Sequence, residues 1–154
     1  MFKKTALFSR DGIPKSVSHK TVNNILSFRA NGPYHNHVFT NRPVSVDEKI
    51  CFEIVKTGVY GIVLGFSAVD PGELAGQLPE NSNGNPEFFT KYVDKKLCKK
   101  GSTIDYHLTS SGEVMYRVNG EEKGVLFSVG KQQTLLWGMV YPLEDYVIKL
   151  IHSN

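Results

Sequence analysis

Cysteine and tryptophan are scarce in this chain, with only Cys51, Cys98 and Trp137 among 154 residues. Two thiols cannot build a cysteine-rich metal cluster. A chain of this length can bury a core without a disulfide, so the expectation is one reduced, intracellular domain over 1–154, with its core from about 6 to 151. Long apolar runs are also missing, and nothing here is long enough to span a bilayer. Met1 to Phe8 places charge ahead of too few apolar residues for a signal peptide, and Ser9-Arg10-Asp11 ends them, which points to the cytosol. Charge of one sign is modest. An excess of three positive charges suits an acidic peptide or an anionic lipid headgroup, whereas a nucleic-acid binder carries a denser basic stripe.

Catalytic and metal-binding constellations are equally sparse. His35-Asn36-His37 puts two imidazoles at i and i+2, but no third and fourth ligand stand near them, so no metal and no cofactor is expected. The serines lack a glycine-flanked elbow, and the Glu121-Glu122 and Glu144-Asp145 pairs read as solvated turn acids. Cys98 lies in the most basic run, Lys95-Lys96-Leu97-Cys98-Lys99-Lys100. The run reads as a solvated loop, and the alternative is a thiol made reactive by its lysines. The expectation is a non-catalytic binding domain.

What is present is β-pattern. Tyr60, Ile62, Leu64 and Phe66 recur at a period of two, with Gly61, Val63, Gly65 and Ser67 on the other face, and Asp70-Pro71-Gly72 stops the strand. Two glycines inside one strand indicate a close backbone approach or a bend. Glu48 to Lys56 is the cleanest strand, with Ile50, Phe52 and Ile54 on one side. Thr103 to Thr109, Glu113 to Asn119 and Lys123 to Val129 follow, and Asn119-Gly120 is the strongest hairpin signal in the chain. Thr134 to Tyr141 and Tyr146 to Ile151 close the series. Earlier, Ala6 to Phe8 is a candidate edge strand. Thr21 to Arg29 reads as one irregular strand, and Val38-Phe39-Thr40 as a short one closed by Asn41-Arg42-Pro43. Residues 70–86 form a long polar excursion, and Pro86 to Val93 is the only helical candidate. About nine or ten short strands predict an all-β, two-sheet antiparallel sandwich of jelly-roll type with at most one short helix.

Several pieces in a fixed order resemble a Neuralized homology repeat. They are Ser27-Phe28, Val38 to Val44, Glu48-Lys49-Ile50, Gly61 to Pro71, Leu78-Pro79, Gly112-Glu113-Val114 through Asn119-Gly120, and Leu136-Trp137. The resemblance implies a sandwich related to SPRY and concanavalin-like domains. It also implies a substrate-recognition module of ubiquitin ligases, joined to a RING or SOCS-box component in the parent protein or in trans. Members recognise short peptide motifs, including asparagine-containing motifs in the tails of Notch ligands, and some bind phosphoinositides. The chain departs from the family pattern at Tyr60, where a tryptophan is common, across Asn83 to Phe89, and at Tyr141 to Glu144.

A rigid sandwich leaves recognition to its loops. From loops and strand ends the candidate peptide contacts are Tyr34, His35, Asn119, Glu121, Tyr141 and Glu144, while Lys95, Lys96, Lys99 and Lys100 form a weaker candidate for lipid headgroups. Trp137 belongs either to the core or to the edge of a groove as an aromatic anchor. The competing readings are a lectin-like carbohydrate binder and a module peripheral to the membrane surface.

Overall fold

The computed structural model describes residues 17–22, 25–30, 38–70, 88–130, 135–142 and 146–151. In chain order the strands are β1 (Val17–Val22), β2 (Ile25–Ala30), β3 (Val38–Pro43), β4 (Ile50–Lys56), β5 (Ile62–Ser67), β6 (Phe88–Val93), β7 (Thr103–Leu108), β8 (Glu113–Val118), β9 (Glu121–Ser128), β10 (Trp137–Pro142) and β11 (Val147–Leu150). A single 3-10 turn, Lys95–Leu97, is the one helical piece among the described residues. Seven strands form one sheet in the order β1-β2-β11-β4-β7-β8-β9, and four form the other in the order β3-β10-β5-β6. Every pairing is antiparallel. The all-β sandwich expected from the strand pattern is the fold observed.

The core lies between the sheets. Ile50, Phe52 and Ile54 of β4, Ile104 and Tyr106 of β7, and Ile148 of β11 meet Ile62, Leu64 and Phe66 of β5 and Val140 of β10, all fully buried. Tyr106 crosses the interface. Its hydroxyl donates toward two carbonyls of the opposite sheet, Met139 O at 2.8 Å and Gly65 O at 3.0 Å, and its ring meets Phe66 edge-on. Burial raises the Tyr106 phenol well above its ordinary range, so it remains a donor.

Four sequence expectations change. The helix expected over Pro86 to Val93 is replaced where the residues are described: 88–93 are strand β6, paired along its length with β5. Aromatic and β-branched side chains at Phe88, Phe89, Thr90, Tyr92 and Val93 suit a pleated surface, and the open edge of β5 offers the ladder. Thr21 to Arg29 is two strands, since β1 and β2 pair as a hairpin from Val17↔Ala30 to Val22↔Ile25. Strand β3 continues through Asn41-Arg42-Pro43 instead of closing there. Tyr60 precedes β5 and is exposed, so it does not share the buried face of Ile62. The candidate edge strand Ala6 to Phe8 lies outside the described residues, as does most of the 70–86 excursion.

The two strand glycines do mark a close approach, although the obstruction is the neighbouring strand and not the opposite layer. A Cβ on Gly65 would overlap the Phe89 carbonyl of β6, and one on Gly61 would overlap the Val93 carbonyl. A third adjustment lies where β3 meets β10. The register slips between Trp137 and Met139, and the Gly138 N–H donates to Thr40 Oγ1 at 2.9 Å. The Thr40 hydroxyl in turn donates to Arg42 O at 2.8 Å, so a side chain serves the irregularity in the ladder.

Candidate functional site

The registers carry several connections to one end of the sandwich. The turn after β4 (Thr57 to Gly61), the segment between β6 and β7 (Asp94 to Ser102) and the β8–β9 turn (Asn119-Gly120) all lie there. Backbone hydrogen bonds tie two of them to the strands: Ile54 N–H to Ser102 O at 2.8 Å, Gly101 N–H to Ile54 O at 2.7 Å, and Asn119 N–H to Thr103 O at 2.7 Å. The same end is reached by Pro142, opposite Ile62, and by Val147, opposite Lys56.

A small cluster of tyrosines builds the tip. The Gly61 N–H donates to the Tyr92 hydroxyl at 2.9 Å, and the Tyr92 ring would stand 3.0 Å from a Cβ on Gly61. A glycine here lets the ring lie over the main chain. The Tyr146 hydroxyl donates to Tyr60 O from below. Tyr146 is fully buried, and burial, with Cys98 and Tyr92 beside it, pushes its phenol up to about 12. Above these buried groups Val59 is 58% exposed, Tyr60 53% and Tyr92 46%. Three large side chains thus face solvent over a tightly bonded base.

The basic run wraps the same end. Asp94 caps the 3-10 turn, accepting from Lys96 N–H at 2.9 Å, and Leu97 and Cys98 turn inward. Lys95, Lys96, Lys99 and Lys100 are all exposed, and none is ion-paired among the described residues. Cys98 is completely buried, with Sγ 3.5 Å from Asp94 O, and burial raises its thiol to about 11. The reactive-thiol alternative is therefore corrected: the thiol is buried and desolvation raises it, while the neighbouring lysines are exposed. Cys51 is also held up at about 11, by burial first and by Asp105 second.

The peptide-contact candidates divide. Asn119 sits at this end in a left-handed conformation (φ 54°), and its Oδ1 accepts from Thr103 N–H at 2.9 Å. Glu121 is exposed beside it, 3.5 Å from Lys123 Nζ. Tyr141 is only 7% exposed, in β10 opposite Val63, so its side chain is packed and offers little contact surface. Tyr34, His35 and Glu144 lie outside the described residues. They fall in connections whose described flanks, Ala30 with Val38 and Pro142 with Tyr146, are at this end. Trp137 is half-buried near the opposite end, against Pro43 and Ser67. Reading the sequence missed Val59, Tyr60 and Tyr92. The available signal was the Thr57-Gly58 turn, which leaves the two apolar residues after it outside the strand.

Away from the tip the polar groups are structural. Arg42 grips Glu48 with both guanidinium nitrogens, and Ser45 N–H donates to the same carboxylate at 3.0 Å. Burial pushes Glu48 up, but these bonds and the Arg42 charge more than offset it and hold the carboxyl below its ordinary value. Arg117 pairs with Asp105 at 3.0 Å on the outer face of the seven-stranded sheet. Among the described residues no group of three or more His, Cys, Asp or Glu could hold a metal ion, and no helix is long and apolar enough to cross a membrane.

Residues 18–141 match the family model described as Neuralized. The chain is 35% identical over 109 residues to protein neuralized of Drosophila virilis, a stretch that covers 66% of this chain and 15% of that protein. It is 27% identical over 105 residues to the E3 ubiquitin-protein ligase NEURL1B of Mus musculus, covering 64% of this chain and 19% of the mouse protein. The chain thus spans less than a fifth of either relative. Among solved structures, the neuralized-nhr1 domain of Drosophila melanogaster superposes with a TM-score of 0.82 at 26% identity, covering 97% of this chain and 99% of that one. The SPRY domain of human HERC1 superposes at 0.62 with 14% identity over 96% of this chain and 98% of its own, which is a likeness of fold.

Proposed function

The chain belongs to the Neuralized family, and on that premise we propose that it is the substrate-recognition domain of a Neuralized-type ubiquitin ligase, binding a short peptide motif in its target. The observation that carries the reading is the family match over 18–141, which spans the tyrosine tip and its lysines. Protein-interaction domains of this build hold the sheets rigid and read partners with the connections at one end. Ubiquitin transfer would come from a RING or SOCS-box component elsewhere in the parent protein or in trans, because two buried or half-buried thiols provide no RING. An asparagine-containing motif is the first peptide class to try, and Asn119, with Glu121 beside it, is the first described residue to change.

Titration of asparagine-motif peptides into the purified domain, against the same peptides with Asn→Ala, tests the reading. Binding in the micromolar range that the alanine peptides lose by about tenfold supports it (about 1.4 kcal/mol). Equal affinity for both sets would remove the asparagine motif. Incubated with activating and conjugating enzymes, the chain alone is expected to build no ubiquitin chains; robust synthesis would contradict a purely recognising role.

A further inference from the structure

We propose that Val59, Tyr60 and Tyr92, with Lys95, Lys96, Lys99 and Lys100, form the docking face, and that its occupant is an acidic peptide segment carrying an apolar or aromatic anchor. The inference rests on the peptide-recognition reading above and assigns it a surface and a partner chemistry.

Three observations carry it. The first is exposure in the wrong place for solvent. Val59 and Tyr60 are adjacent on a turn and each is more than half exposed, and Tyr92 presents its ring beside them. Single exposed apolar residues are ordinary, whereas three converging at one end mark a surface that gains by being covered.

The second is preorganisation. The Tyr92 hydroxyl is engaged by Gly61 N–H and the Tyr60 carbonyl by the Tyr146 hydroxyl, so the tip is anchored from within. Tyrosines fixed before a partner arrives lose little freedom on binding, and for this reason they dominate protein-binding surfaces.

The third is charge. The exposed lysines lack acidic partners among the described residues, and Asp94, which precedes them in the chain, is occupied as the cap of the 3-10 turn. Ammonium groups without an acidic partner among the described residues, beside an apolar platform, complement a carboxylate-rich segment. A bilayer is the weaker match. Surfaces that enter a membrane present tryptophan, phenylalanine or leucine, and among the described residues the exposed apolar side chains of this tip are a valine and two tyrosines, one with its hydroxyl committed to the main chain.

Selection from a random peptide display library on the purified domain provides the test. The expected winners carry several Asp or Glu around one apolar or aromatic residue. Their affinity falls about tenfold in Val59→Ser/Tyr60→Ser and in Lys99→Glu/Lys100→Glu. Both variants change only exposed side chains and are expected to melt as the parent does, and raising the salt weakens the parent's binding. Winners without acidic residues, or acidic winners whose binding both variants retain, would overturn the docking face while leaving peptide recognition intact. No enrichment of any peptide would remove both. Tighter binding to phosphatidylserine-containing vesicles than to the acidic peptides would overturn the assignment in favour of a membrane.

Discussion

At the scale of single residues, the polar side chains of the seven-stranded sheet set how this domain responds to acid. His107 sits half-buried on β7 with no hydrogen-bond partner for its buried Nδ1 among the described residues, and its Nε2 lies 4.0 Å from Asp47. Burial lowers its pKa, Asp47 draws it back up, and Lys49 lowers it again; Asp105 and Glu122 also face it and raise it. Because the folded value is below the ordinary 6.5, the unfolded chain binds a proton that the native state resists. Stability is full above that pH and is lost as pH falls through it. Glu48 has the same sign lower down, where its depressed carboxyl gives stability that fades below 4.5. Melting temperatures across pH 5 to 7, roughly the window around the ordinary histidine value, should show a fall toward acid that His107→Gln removes. An unchanged slope in the variant would assign the effect to other groups.

At the scale of elements, two kinds of glycine can be separated. Gly65 has an extended backbone and is closed in by the Phe89 carbonyl, so a methyl there collides with the main chain of β6. Gly120 has open space around it but a φ of +78° in the β8–β9 turn. Gly65→Ala is expected to cost about 3 kcal/mol or more, and Gly120→Ala about 1 to 2 kcal/mol from backbone strain alone. Chemical denaturation of both measures the difference, and equal losses would contradict it. The same contrast explains what the sequence could reveal. Alternation made β4, β5, β7 and β8 readable, and Asn119-Gly120 fixed a hairpin, because these signals are local. Strand β6 was unreadable for the opposite reason. Phe88, Phe89 and Tyr92 fit a helical stripe as well as a strand, and only the edge of β5, distant in sequence, decides between them. Tyr60 was misread because a period of two continues past the strand's true start at Ile62. The tip escaped notice for a related reason: Tyr92 joins Val59 and Tyr60 only once β6 is in place.

At the scale of the whole molecule, Tyr106 adds a buried polar bridge to the apolar core that joins the sheets. One hydroxyl serves the Gly65 and Met139 carbonyls, on two different strands of the opposite sheet, at a depth no solvent reaches. Tyr106→Phe keeps the ring and deletes both bonds, and should lower stability by about 1 to 3 kcal/mol. The urea midpoint is expected to fall with an unchanged slope. A change in slope would mean that the sheets had begun to separate before unfolding, and no loss at all would make the bridge incidental.

That bridge has a consequence for how such a domain diversifies. The relative placement of the two sheets is held in the interior, a few residues along β5 from the tip, by the apolar core and by a phenol bonded to two main-chain oxygens, groups that carry no record of the partner. Connections at the end can then be lengthened, shortened or rewritten without renegotiating the frame that carries them. With the docking face we propose, the domain is a chassis with an interchangeable front, and swapping residues 57–60 or 94–101 between relatives is expected to exchange their targets.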